Sequence, residues 1–392
     1  MITIESLSAK NIKNLELKDT PFRRVTLVLG ENGYGKTNLL RLIHCLLQSK
    51  EMPPELKGQA KFPIEGYAED GDLLRYGHST ATVSLTVHGK GTSYEDFQKA
   101  FLGPKDKKTM SATLDFTITE HKPGILVKVD AIRIGEKTVF PEAEEKKGAK
   151  KDEDAKKVDL QAALETWVRT DLAGKTTYIP TARLLKRNMV PYQVERPATA
   201  VDGLENTILR LYTSKAEDPA ALDRIRKILR DFFAIEDVRP HLLPPAEPAQ
   251  VKGSDGKYPP PPPAPLAEQL QVGIRVREAD NHWFDLDHVG SGIQQILAIV
   301  TMLEESRAKI ALIEEFETSL SFKNRNKFLQ QLTELAGNEK PLDQIITSSH
   351  ALFQPKQDNV IPIGPDKPGV RDRVNFREWT EAKDWRLHTK LD

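Results

Sequence analysis

Gly30-Glu31-Asn32-Gly33-Tyr34-Gly35-Lys36-Thr37 decides how the rest of this chain is read. It is a full G-x-x-x-x-G-K-[ST] pattern. The apolar run Val25-Thr26-Leu27-Val28-Leu29 precedes it, and the helical-looking run Leu39-Leu40-Arg41-Leu42-Ile43 follows. Strand, glycine loop and helix in that order make a phosphate-binding loop. With glycine at ~7% of residues, the four fixed positions match by chance in about one chain in a hundred of this length, before the strand and helix are counted. The alternative, a glycine turn that merely opens a helix, is set aside on that ground.

Each residue type has a physical reason to be there. Gly30, Gly33 and Gly35 allow positive φ and close approach of backbone to an anion. Successive N–H groups then form a nest backed by the positive end of the helix. Lys36 reaches the outer phosphates of a nucleoside triphosphate, and the hydroxyl of Thr37 suits Mg²⁺. Binding of ATP or GTP is the first expectation.

Bulk properties narrow the setting. The chain has 392 residues, with 57 Lys plus Arg against 57 Asp plus Glu. That length predicts one large elaborated domain or two lobes. A net charge of zero leaves no global basic field, so any nucleic-acid contact needs a local patch. Cys45 is the only cysteine and reads as a small buried hydrophobe. Neither a signal peptide nor an apolar stretch of spanning length is visible, so a cytoplasmic protein with no membrane partner is expected.

Along the chain, Ile2-Thr3-Ile4 and Leu15-Glu16-Leu17 read as strands around a short polar connection, and Pro53-Pro54 stops the helix after the phosphate loop. Residues 80–87, 112–118 and 125–129 alternate in the manner of half-exposed antiparallel strands. Tyr94 to Lys108 reads as a polar loop with a small amphipathic element. Glu142 to Lys157 reads as a charged surface insertion or a solvated helix, and Leu243 to Leu266, with five consecutive prolines, as an extended linker. Helices are expected from Asp218-Pro219 onward, with Leu222, Ile225, Leu229, Phe232 and Phe233 on one face, and around Leu204, Ile208 and Leu211. After the linker, 272–276 and 283–286 read as strands, Gly290 to Glu305 as a helix, and Ile310-Ala311-Leu312-Ile313 as a buried strand. Phe322 to Ala336 reads as a helix ended by Gly337, and Ile345-Ile346-Thr347 as another buried strand. Short strands around Val360 and Val374 close the chain. The predicted division is 1–180 as the first part of the core with a β lobe, 181–242 as a helical insertion, 243–266 as the linker, and 267–392 as the rest of the core.

Three further pieces supply what a phosphate loop lacks. Glu314-Glu315 ends the apolar strand at 310–313; Glu314 is the candidate for the Mg²⁺ shell and Glu315 the candidate general base. Adjacent acids at a buried strand end are costly unless a cation or wet cleft receives them. Gly290-Ser291-Gly292 opens a helix and offers a second anion site. His350 follows a buried strand, where ligands of such sheets bind, and is placed to sense or polarise the outer phosphate.

These pieces in this order resemble the ABC-type ATPases of the recombination-F, structural-maintenance-of-chromosomes and overcoming-lysogenization-defect group. The resemblance rests on Ile4-Glu5-Ser6-Leu7, Lys10 to Asn14, Gly30 to Asn38, the signature-like Gly290 to Gln295, the acidic block Glu314 to Phe322, and the switch-like Ser349-His350-Ala351. Tyr178 to Arg183 resembles a segment of defence-type members. What the resemblance implies is an ABC-type α/β core, a mixed sheet with flanking helices, carrying an antiparallel β lobe and a helical insertion arm. It also implies ATP and Mg²⁺ as cofactors, held by Gly30, Asn32, Gly33, Gly35, Lys36, Thr37 and Asn38. A head-to-tail homodimer or higher oligomer is implied as well, in which Ser291 and Gly292 of one copy cap the phosphate held by Lys36 of the other. Too few residues follow His350 for the acidic nuclease domain of some members, so a separate effector is expected, with DNA as a further partner. Glu314 stands where the family has Asp, Phe316 where it has Pro, and Ser321-Phe322 where it has His-Pro. Two functions stay open: an ATP hydrolase that controls a nucleic-acid transaction or effector, in phage defence or DNA repair, and a non-hydrolysing ATP-binding scaffold for a toxin or nuclease. A direct DNA clamp is the third and needs a basic face.

Overall fold

In the computed structural model, the residues described are 1–30, 33–56, 58–69, 71–89, 92–102, 111–140, 160–181, 190–191, 204–213, 220–243, 271–306, 308–336, 342–350 and 360–362. The charged insertion at 142–157, nearly all of the proline-rich stretch, Asn32, Asp218-Pro219, Gly337 and Val374 lie outside them.

The chain opens with β1 (Ile2–Ile12) and β2 (Leu15–Pro21), an antiparallel hairpin, then β3 (Val25–Leu29) and α1 (Lys36–Leu47). β4 (Gly66–Ala68), β5 (Thr80–Gly89), α2 (Thr92–Leu102), β6 (Ala112–His121), β7 (Gly124–Ile134) and β8 (Lys137–Phe140) follow. A helix α3 over 160–167 passes into the π-helical turn Val168–Leu172 and leads to β9 (Thr176–Ile179). Next come β10 (Val190–Pro191), α4 (Leu204–Tyr212), α5 (Ala221–Phe233), β11 (Ile235–Leu243), β12 (Gln271–Glu278), β13 (Trp283–Asp285) and α6 (Ser291–Glu305). β14 (Ile310–Ile313), α7 (Phe322–Leu335), β15 (Gln344–Ser349) and β16 (Val360–Pro362) complete the described chain.

Contacts divide these elements into two units. The first comprises Met1–Thr181, Arg307–Glu317 and Arg325–Asp392; the second comprises Ala182–Ser306 and Thr318–Asn324. In the first unit, parallel and antiparallel strands segregate. A five-stranded sheet runs β16-β3-β15-β14-β9 with every pairing parallel. A seven-stranded antiparallel sheet runs β2-β1-β5-β6-β7-β4, with β8 on β7. One core joins them: α1 buries Leu39, Leu40, Leu42, Ile43, Cys45, Leu46 and Leu47 among side chains of both sheets, including Ile4, Leu85, Leu312 and Ile346. Each such Leu or Ile stabilises by roughly 2 kcal/mol gross, before conformational entropy is set against it. Cys45 is fully buried, as its apolar neighbours dictate.

The second unit holds α4, α5 and α6 with an antiparallel sheet of order β10-β12-β11, and β13 on β12. Residues 271–285 therefore do not re-enter the phosphate-loop sheet after the proline-rich stretch. They pair with β10 and β11, and the main sheet resumes only at Ile310.

Several local expectations change. β1 is one strand of 11 residues, not a short strand with a polar connection. A register irregularity between Ile4 and Ser6 breaks its alternation. The small amphipathic element expected within Tyr94 to Lys108 is α2, longer than a polar loop allows, and its Tyr94 and Phe97 are fully buried, with Phe97 stacked on Trp167 at 5.2 Å. β11 lies where the sequence reads as helical, and a register shift between Ile235 and Asp237 hides its period. α5 begins at Ala221 with Ala220 as its cap, later than Asp218-Pro219.

Candidate nucleotide site at the strand ends

β3, β9, β14 and β15 are parallel neighbours, so their carboxyl ends share one edge, where open α/β sheets receive ligands. Gly30, Thr181, Glu314 and His350 each follow one of these strands within two residues.

The phosphate loop is held from behind. Gly33 and Gly35 have φ of 83° and 101°. A Cβ on Gly35 would lie 2.8 Å from Asn14 Oδ1 and from Leu15 Cδ2, so glycine is required there twice over. Asn14, at the β1–β2 turn, donates from Nδ2 to the Gly33 carbonyl at 2.5 Å and accepts from Asn38 Nδ2 at 2.9 Å. Asn38 thus braces the loop through Asn14. Thr37 is exposed at the start of α1, open to a ligand. Gly35 caps α1 without a side-chain bond, which leaves N–H groups of its first turn for an anion.

Lys36 is turned back into the protein and is 5% exposed. Its Nζ donates to the Gly30 carbonyl at 2.7 Å and stands 3.0 Å from His350 Nδ1. Burial pulls its pKa below the ordinary lysine value, opposed by the charges of Glu315, Glu317 and Glu314 in that order. The other ring nitrogen, His350 Nε2, contacts the Glu315 carboxylate closely. Nδ1 faces both the Lys36 ammonium, a donor, and the Gly30 carbonyl at 3.3 Å, an acceptor, while the Glu315 carboxylate calls for a proton on Nε2. Lys36, His350 and Glu315 form one hydrogen-bonded chain across the mouth of the loop.

β14 is buried throughout, and the turn after it carries the acids. Glu314 Oε2 accepts from the Thr181 backbone N–H at 3.1 Å and the Thr181 hydroxyl at 3.0 Å. Glu315 has φ of 40°, a left-handed conformation costing about 1–3 kcal/mol that neighbouring bonds must hold. Its N–H donates to Ser348 Oγ at 3.2 Å. Phe316, where the resembled family has Pro, is fully buried and packs against Phe328. Glu317 Oε1 accepts from Ser349 Oγ and from the His350 N–H.

Glu314 Oε1 and Glu317 Oε2 are buried with no hydrogen-bond partner among the described residues. The unmatched Glu314 oxygen beside the glycine loop fits a cation held partly through water. Among the described residues no group of three or more His, Cys, Asp or Glu forms a cage. Mg²⁺ suits such a place, since it keeps several waters and takes one or two carboxylates plus phosphate oxygens. Thr37 and Glu314 are the residues that would hold it.

In the second unit, Ser291 and Gly292 start α6, a helix of 15 residues whose cap Gly290 makes no side-chain bond. Ser291 is exposed at that N-terminus. A Cβ on Gly292 would lie 2.9 Å from the Ser319 carbonyl, so this position requires close backbone approach. Gln294 Nε2 donates to the carbonyls of Leu286 and Val289, both at 3.0 Å, and fixes the entry to the helix.

Three contributors carry no assigned role in the sequence reading: Asn14, Thr181 and Glu317. Each lies within a segment quoted for the family resemblance, yet none has a composition signal of its own. Short polar residues immediately beyond parallel strands are the one clue available.

Residues 263–353 match the family model described as AAA ATPase domain. No curated protein matches the chain. Among solved structures, an Smc head bound to the C-winged helix domain of ScpA is 13% identical, covering 96% of this chain and 99% of that one, with a TM-score of 0.48. The recombination mediator protein RecF with ATP is 10% identical, covering 95% and 98%, with a TM-score of 0.46. A second RecF structure is 11% identical, covering 92% and 96%, with a TM-score of 0.44.

Proposed function

We propose that this chain, of which residues 263–353 match an AAA ATPase domain, is an ABC-type ATPase of the RecF/SMC-like group that hydrolyses Mg²⁺-bound ATP and uses the nucleotide to control pairing of two copies. Through that pairing it would govern a nucleic-acid transaction or a separate effector, in phage defence or DNA repair, inside the cytoplasm. The observation that carries the reading is the chain Lys36–His350–Glu315 at the mouth of the glycine loop. A cation, an imidazole and a carboxylate in contact beside the loop support a site for phosphates and an attacking water.

The roles follow from position. The loop N–H groups and Lys36 bind and orient the phosphates. Thr37 and Glu314 would hold Mg²⁺, which would supply charge neutralisation on the phosphates. Glu315 orients a water and takes its proton; His350 contacts the outer phosphate and reports its presence. Ser291 and Gly292 cap the nucleotide of a second copy through an exposed helix N-terminus.

Steady-state phosphate release with Mg²⁺ tests the assignment. Glu315→Gln is expected to lose turnover by about 10²–10⁴-fold while still binding ATP. Full turnover in that variant overturns the role of Glu315. Light scattering of the same variant with ATP tests pairing, expected as doubling of mass.

A second reading has its own support. The Glu315 carboxylate is already engaged by His350, and Glu314 replaces a shorter Asp. Both favour a scaffold that holds ATP without turning it over and keeps a toxin or nuclease partner in check. Wild-type protein that binds ATP but releases no phosphate, with or without DNA, selects this alternative.

A further inference from the structure

Glu317 is 4% exposed, in the turn after β14. Both bonds to its Oε1 come from the end of β15: Ser349 Oγ at 2.5 Å and the His350 N–H at 2.9 Å. Ser349 itself is fully buried. A carboxylate that served only to close its own turn would be bonded to neighbours in that turn. These two bonds instead reach a different strand, 32 and 33 residues on. Its other oxygen, Oε2, is buried and unpartnered among the described residues, a costly arrangement for a group with no task.

The His350 ring is gripped at its two nitrogens by Lys36 and Glu315. Phosphates arriving at Lys36 compete for the first of these grips. The Glu315 contact and the ring's own backbone then fix it, and the bond nearest that backbone is the one from the His350 N–H to Glu317. Loss of this carboxylate removes the acceptor of the half-buried His350 N–H, so the strand end must shift to find another.

We propose that Glu317 is the positioning residue of the site: it holds His350 against the terminal phosphate and thereby sets how sharply the protein tells a nucleoside triphosphate from a diphosphate. The proposal rests on the nucleotide reading above but not on turnover, so it applies equally to a hydrolase and to a scaffold.

The test is a double-mutant cycle on the full chain with Glu317→Ala, His350→Ala and the pair. The readouts are dissociation constants for Mg²⁺ with a non-hydrolysable ATP analogue and for Mg²⁺ with ADP. Glu317→Ala is expected to reduce the triphosphate preference by at least about 5-fold, with ADP affinity within about 2-fold. The double variant is expected to match His350→Ala alone, because Glu317 acts through that residue. Glu317→Gln, which keeps an acceptor oxygen, recovers most of the preference. An unchanged preference in Glu317→Ala overturns the proposal, as do losses that multiply in the double variant, or equal losses for both nucleotides. If the alanine variant is recovered unfolded, Glu317→Asp, too short to span both donors, takes its place with the same expected loss and the same overturning results. Wild type that binds both nucleotides alike sinks this proposal alone; wild type that binds neither sinks the nucleotide reading with it.

Discussion

Asn14 Nδ2 donates to the Gly33 carbonyl at 2.5 Å, so the tip of the first hairpin is fastened to the phosphate loop. The glycines make the loop deformable, and this bond, with Asn38 behind it, selects one shape. Asn14→Ala removes both bonds and is expected to weaken ATP binding by roughly 5- to 10-fold, the size of one or two ordinary hydrogen bonds. Titration with a fluorescent nucleotide checks it. Unaltered affinity would mean the loop is shaped by its own backbone.

The loop glycines should differ in tolerance. Gly35→Ala adds a Cβ 2.8 Å from Asn14 and Leu15 at φ of 101°, whereas Gly33→Ala points into open space at φ of 83°. Left-handed strain of about 1–2 kcal/mol applies to both, and the collision applies to Gly35 alone. Urea unfolding is expected to rank wild type above Gly33→Ala and Gly33→Ala above Gly35→Ala. The reverse order of the two variants contradicts the packing.

Thr181 holds the Glu314 carboxylate by two bonds. Thr181→Val deletes the hydroxyl donor and leaves the backbone one. By analogy with residues that orient metal ligands, the half-saturating Mg²⁺ concentration for ATP binding should rise by about 10-fold at the low end of such effects. An unchanged Mg²⁺ requirement removes Glu314 from the metal shell or Thr181 from its support.

Glu205 of α4 gives a pH prediction in the second unit. Burial pushes its pKa up to about 7 from an ordinary 4.5. The folded protein then keeps a proton that the unfolded chain releases, so stability falls as pH rises from about 4.5 to about 7 and levels off above that. Glu205→Gln cannot ionise. It is expected to gain up to about 3 kcal/mol over wild type at pH 8 and almost nothing at pH 4.5. Thermal melts at the two pH values check it; equal gains at both would locate the effect in packing.

Legibility in the sequence followed the range of the interactions involved. The strand, glycine turn and helix around Gly33 and Gly35, α6 and β14 were readable because motif and period are local: β14 is four apolar residues in a row, and α6 buries an almost unbroken face. α2 was legible only as a small amphipathic element, because Glu95, Asp96, Gln98 and Lys99 stand between Tyr94, Phe97 and Phe101, though those three fall at helical spacing. β9, only four residues before Pro180, gave too short a pattern. Glu317 and Thr181 were unreadable as site residues for a different reason. Their importance lies in bonds to Ser349, His350 and Glu314, which only the pairing of β9, β14 and β15 brings within reach.

The parallel sheet also governs how this protein must be made. Gly30 and His350 meet across 320 residues of chain, and Lys36 and His350 across 314. Closing loops of that length comes late and slowly, after local hairpins such as β6–β7 have formed. During synthesis the glycine loop emerges early and waits for its acids and its histidine until nearly the whole described chain has left the ribosome. Competence to bind nucleotide is thus a report that the sheet has closed, and refolding followed by nucleotide fluorescence should lag refolding followed by far-ultraviolet circular dichroism.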